Sequence, residues 1–174
     1  MKAWQTFGAA LLAAAAVAAV VVATGTAMRG GSSSTHSFTL LESNDVGSFS
    51  YIDNEPKSTR SLSSREGPVV SQGDVLAFTS ELLTKSKRHA GWLHATCTAT
   101  VAGDTFDKAR FTCTGLFQLQ GGTLELIALL DTRKRVTHIA IVGGTGAYEG
   151  AIGQIDSAGS ENGPNVDTVR FRTS

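Results

Sequence analysis

Beyond its first thirty-odd residues, the chain carries its apolar and β-branched residues in short alternating segments, each cut off by Gly, Asp, Asn or Ser clusters. No convincing helical stripe interrupts them. This pattern predicts strands near 37–44, 74–83, 92–101, 110–119, 122–130, 136–142, 150–157 and 166–172. So many short strands with turn signals between them specify an antiparallel sandwich or barrel. Residues 45–72, with Pro56, Pro68 and many serines, read as a long loop holding at most one poor strand, and such loops often serve as lids.

Alternation sorts the faces, because successive side chains of a strand point to opposite sides. Phe38, Leu40, Glu42 and Asn44 share one side of the first strand. Leu93, Ala95, Cys97, Ala99 and Val101 share one side of the third, and Phe111, Cys113, Gly115, Phe117 and Leu119 one side of the fourth. The loop "AGDTFDKA" joins those two as a hairpin, and the register that keeps both apolar sides together sets Cys97 opposite Cys113. A disulfide and a pair of buried thiols are both compatible with that register, since cross-strand geometry is demanding.

The N-terminus stands apart. Lys2 precedes an alanine-rich apolar run from Phe7 to Ala23, and Gly25 and Ala27 occupy the small-residue positions of a cleavage site. Residues 1–27 read as a signal peptide or an uncleaved N-terminal anchor, 28–36 as a flexible tether, and 37–174 as one domain. The expected location is therefore secreted or membrane-tethered, outside the cytoplasm, where a thiol pair tends to oxidise. Fifteen basic and fifteen acidic residues cancel, so nothing draws the chain to nucleic acid or to an anionic membrane surface.

The segment "HIAIVGGTGAYEGAIGQID", His138 to Asp156, invites a phosphate-cradle reading and fails it. A dinucleotide fingerprint counted from Gly144 meets Glu149 where its third glycine belongs, and no lysine follows Lys134. Gly150 and Gly153 also oppose the helix such a motif must open. Metal chemistry is no better supported: His94 and Cys97, three apart on a strand, point to opposite faces. His138 reads as a hydrogen-bonded structural histidine, Glu81 and Glu125 as outward-facing, and no serine has the G-x-S-x-G setting of a hydrolase nucleophile. Glu42 is the informative charge. If it points inward it loses hydration, its pKa rises, and it becomes a general acid or base near neutral pH; if the strand frays, it meets solvent.

Four blocks carry a family resemblance. "IAIVGGTGAYEGAIGQI" resembles the glycine-turn segment shared by plant allene oxide cyclases and dirigent proteins, its "YEGAIGQI" half being nearer the cyclase version. "GDVLAFTSELLT" (73–84) and "GWLHATCTATV" (91–101) are similar to cyclase segments in the same order, and "CTGLFQLQGGTLEL" (113–126) to actinobacterial members of the superfamily. The resemblance spans roughly residues 37–157 and implies a closed antiparallel barrel of about eight strands, with an apolar cavity and no cofactor. The glycines of 143–150 then turn the chain between two strands.

The resemblance also implies a site. The cyclase Glu and Asn of the first strand fall on Glu42 and Asn44, and a cavity cysteine on Cys97, which would then be a free thiol. A second cyclase asparagine is replaced by Ser80, a cavity tyrosine falls near Leu130, and the dirigent arginine falls on Ile152. Phe38, Leu40, Phe78, Phe117 and Leu130 are the expected cavity-lining apolar residues. The expected activity is a cyclase or isomerase that steers ring closure of a small apolar metabolite, fatty-acid-derived or polyketide-like, without cofactor or metal. The alternative is a non-catalytic ligand-binding or dirigent-type module. The expected partner is a small apolar organic molecule, with a homo-oligomer also compatible.

Overall fold

The computed structural model describes residues 34–61, 63, 67–160 and 163–173, with backbone alone for 44–46. The leader and most of the tether lie outside the described residues. Eight antiparallel strands close into a barrel in chain order: β1 (Ser34–Ile52), β2 (Val75–Leu83), β3 (His89–Val101), β4 (Arg110–Leu119), β5 (Gly122–Asp131), β6 (Val136–Gly144), β7 (Ile152–Ala158) and β8 (Asn165–Thr173). β8 pairs back onto β1, so no sheet edge is left open along most of the seam.

Seven of the eight strands match the predicted ones to within a few residues, and β1 does not. It starts earlier, at Ser34, because Thr35, His36 and Ser37 pair with Arg172, Phe171 and Arg170 of β8, and the His36 ring stacks on Phe171 at 5.0 Å. It also continues to Ile52, through register shifts against β2 between Glu42 and Ser48. Those bulges break the alternation of "SNDVGS", which is why residues 45–52 read as loop in the sequence. Pairing with β8 ends at Glu42, so the rest of β1 continues along β2 alone.

The glycine-rich segment is a corner. After Gly144 the chain makes one 3-10 turn, Gly146–Tyr148, and enters β7 at Ile152. Gly146 and Gly150 have φ of 61° and 72°, the left-handed region that favours glycine, and a Cβ on Gly146 would sit 2.2 Å from the Gly121 carbonyl oxygen.

Inward side chains pack in two clusters. One is made of Leu40, Leu82, Phe117, Leu124, Leu126, Ile141, Ala151, Ile155, Val169 and Phe171, and it plugs the barrel at the β6–β7 corner end. The second joins Val70, Leu76, Cys97, Ala99, Ala109 and Phe111 near the opposite end. The β1–β2 connection takes part in this second cluster. Val70 and Gly103 exchange backbone hydrogen bonds at 2.8 and 3.0 Å, and the fully buried Asp74 accepts from the Tyr51 hydroxyl and from the Asn54 and Ser71 N–H groups. The described part of the segment is thus a packed cover rather than an open lid, and none of the described residues of 53–72 lines the cavity described next.

Candidate active site

Between the two clusters the barrel encloses a cavity of about 400 Å³. Its walls are mainly apolar or small, including Phe78, Leu93, Ala95, Leu126, Ala128 and Leu130. Gly115 and Ala128 leave room because they present little or no side chain. The rim is polar, formed by Thr132, Lys134 and Arg135 of the β5–β6 turn with Ser157 and Gly159 of the β7 end.

Glu42 lines this cavity. Asn165, its direct partner on β8, donates a 3.3 Å hydrogen bond from Nδ2 to Glu42 Oε2. Burial raises the Glu42 pKa, and the neutral Asn165 and Ser80 side chains oppose that rise only in part. The carboxyl therefore faces an apolar space without an adjacent buried cation, the setting in which a carboxylic acid keeps its proton toward neutral pH.

Cys97 and Cys113 form a disulfide in the cavity wall, their Cα atoms 4.0 Å apart across the β3–β4 register. This corrects the free-thiol expectation drawn from the cyclase pattern: direct cross-strand pairing brings the two sulfurs together. Phe78 and Leu130 also line the cavity. Ser80 is buried beside Glu42, whereas Phe117 is completely buried in the plug and does not reach the cavity surface. Phe38 and Leu40 pack in or against that plug and border a separate groove at the far end of the barrel. Asn44 contributes its backbone to β1, and its side chain lies outside the described residues. Ile152 is exposed on the barrel's outer face.

A second interior acid was not singled out from the sequence. Asp167 on β8 is 1% exposed, and neither of its oxygens has a hydrogen-bond partner. Burial pushes its pKa up to about 7, the neighbouring Ser157 hydroxyl opposes the rise, and the Glu42 charge adds to it. The signal was present: Asn165, Asp167, Val169 and Phe171 alternate onto one face, as Leu40 and Glu42 do on β1.

The histidines lie elsewhere. His138 Nδ1 is 2.7 Å from Asp156 Oδ1 on the exposed outer face, where Arg170 also binds Asp156, and His94 Nε2 is 3.2 Å from Gln118 Oε1. Among the described residues no three His, Cys, Asp or Glu side chains converge as metal ligands.

With this geometry in hand, known structures place the fold. Pyocyanin demethylase is similar over 79% of this chain and 100% of its own, at 20% identity and a TM-score of 0.59. AbnU, an exo-specific intermolecular Diels-Alderase, matches 82% of this chain and 99% of its own, at 12% identity and a TM-score of 0.56. A pterocarpan synthase dirigent protein matches 82% of this chain and 94% of its own, at 15% identity and a TM-score of 0.55. This chain has the barrel fold of the Diels-Alderases and dirigent proteins. No family model and no curated protein sequence matches it. At these identities the likeness is one of architecture, and the chemistry has to be argued from the cavity itself.

Proposed function

We propose that this chain is an isomerising enzyme, a cyclase in the broad sense, that folds a small apolar molecule inside the barrel and moves a proton to or from it with Glu42. The observation that carries this reading is the Glu42 carboxyl at the wall of an apolar cavity, its acid form favoured by burial. Confinement of a flexible substrate in one reactive conformation removes much of the entropic barrier to ring closure. A positioned general acid or base adds a further factor of about 10²–10⁴. Neither contribution calls for a cofactor. Ser80 and Asn165 orient the carboxyl, and Asn44 is assigned to the same end of β1. Catalysis of cycloaddition by a neighbour of this fold supports ring closure as the reaction class. The Cys97–Cys113 disulfide supports action outside the cytoplasm.

The test pairs binding with turnover. Full-length wild type and Glu42→Gln are incubated with linear polyenoic acids and with tethered diene–dienophile compounds, and products of unchanged mass are resolved by chiral chromatography with mass detection. An apolar fluorophore, anilinonaphthalene sulfonate, reports cavity occupancy in parallel. The expected result is equal fluorophore binding and conversion slowed about 10²–10⁴-fold in the variant. Equal conversion by both proteins refutes proton transfer by Glu42. Tight binding without conversion by the wild type makes the protein a ligand-binding or dirigent-type module instead.

A further inference from the structure

The cavity's acid chemistry, as assigned above, uses one carboxyl, and a second, Asp167, lies close to it in the barrel interior. The β1–β8 register sets Leu40 opposite Asp167 and Glu42 opposite Asn165. Glu42 and Asp167 are thus diagonal neighbours on the inward side of one antiparallel strand pair, about 7 Å apart at the backbone. Glu42 reaches the cavity surface, whereas Asp167 lies behind it, fully buried and with both oxygens unpartnered.

Among the described residues the surroundings offer no buried counter-charge. Ser80 of β2 and Ser157 of β7 are the polar groups that act on the two acids alongside Asn165, and all are neutral. Lys134 and Arg135 are the nearest cations the cavity presents, and they lie exposed at its rim. No lysine, arginine or histidine is buried among the described residues. Two adjacent carboxylates in such a place would each lack hydration and repel the other, so the pair retains a proton.

We infer that Asp167 is the proton store of Glu42: the two carboxyls hold one proton between them, which Glu42 presents to the cavity and Asp167 retains from behind. This rests on the proposed role of Glu42 and narrows its substrates. They are molecules that gain a proton at one atom and lose one from a neighbouring C–H bond, such as polyenes, enols or unsaturated carbonyl compounds. In the forward step the Glu42 O–H bond breaks and its proton bonds to a substrate carbon or oxygen, leaving a cation. Both carboxyls are then anionic, and the pair recovers a proton from the C–H flanking that cation. The C–H electron pair becomes the new π bond, and the acid is regenerated without water entering. Asp167 acts through Glu42 and is a positioning residue.

The test is a carboxyl titration followed by ¹³C NMR on full-length protein labelled at Asp and Glu side-chain carbons. In wild type, Asp167 is expected to titrate near pH 7, and in Glu42→Gln its midpoint is expected to fall by about one unit or more as the neighbouring charge is lost. In Asp167→Asn, the pH–rate profile of conversion is expected to move to lower pH, because Glu42 alone then holds the proton. An Asp167 midpoint near the ordinary value of about 3.9 overturns the inference. So does a midpoint that ignores Glu42→Gln, and these two results stand even if Asp167→Asn fails to fold. An uncoupled Asp167 with an inactive Glu42→Gln removes the store alone. A coupled pair with a fully active Glu42→Gln removes the proposed function, and the store's catalytic use with it.

Discussion

The Tyr51 hydroxyl donates to Asp74 Oδ2 at 2.5 Å, fastening the end of β1 to the residue just before β2. Asp74 accepts from the Asn54 N–H at its other oxygen and from the Ser71 N–H as well, so one buried carboxylate organises both ends of the long β1–β2 connection. Asp74→Ala leaves these donors without their acceptor. A loss of about 3 kcal/mol is expected by urea denaturation, with faster proteolysis within 53–72. Tyr51→Phe, which removes a single donor, is expected to cost about 1 kcal/mol.

The disulfide supplies a second prediction. Cys97 and Cys113 are separated by 16 residues in sequence and joined across one hairpin. Replacing both by alanine is expected to lower stability by about 3 kcal/mol, the loop-closure value for a crosslink of this length. Intact-mass analysis after alkylation without reductant is expected to find no modified thiol on folded protein. Two modified thiols would contradict the paired state.

Asp167 makes stability depend on pH in an uncommon direction. Its folded-state pKa of about 7 exceeds the value of about 3.9 for an unfolded chain. Its contribution is therefore fully present below about pH 4 and is lost as pH rises through about 7, because the unfolded chain ionises freely while the folded one resists. Wild-type melting temperature is expected to fall between about pH 4 and pH 8 relative to Asp167→Asn. A flat difference between the two across that range would show that Asp167 is hydrated in the folded protein.

Ala128 offers a probe of the cavity that leaves the acids alone. Its methyl group faces the open space, so Ala128→Phe fills volume without displacing packed side chains. Fluorophore binding is expected to fall at least tenfold, with stability changing by less than about 1.5 kcal/mol. A larger stability loss with unchanged binding would move the ligand site elsewhere.

Most of this barrel was legible in the sequence because period-two alternation and glycine or asparagine turns are local signals. The Cys97–Cys113 register and the shared side of Phe38, Leu40 and Glu42 followed from that rule, but the inward position of Glu42 did not, because a frayed strand end fits the same alternation. β1 beyond Glu42 escaped it because its bulges scramble the alternation, and pairing with β2 restores the strand from outside. Asp74 escaped because its role depends on donors 20 and 23 residues away, Asn54 and Tyr51. Asp167 could have been found. Its inward position follows from Val169 and Phe171, but its nearness to Glu42 depends on which strand closes the barrel, and a list of strands does not contain that information.

The plug at the β6–β7 corner has a kinetic meaning. Leu126 and Ile139 touch the cavity, Leu40 of the same packed cluster borders the groove at the far end, and cavity and groove share no lining residue among the described residues. Among the described residues the barrel is a cup and not a tunnel. On the proposed cyclase reading, reactant and product share the rim of Thr132, Lys134 and Arg135, the doorway that the described residues form, so a product must depart before the next reactant can seat. On that reading turnover is governed by how fast a newly closed and more rigid molecule backs out, and accumulated product competes directly with substrate.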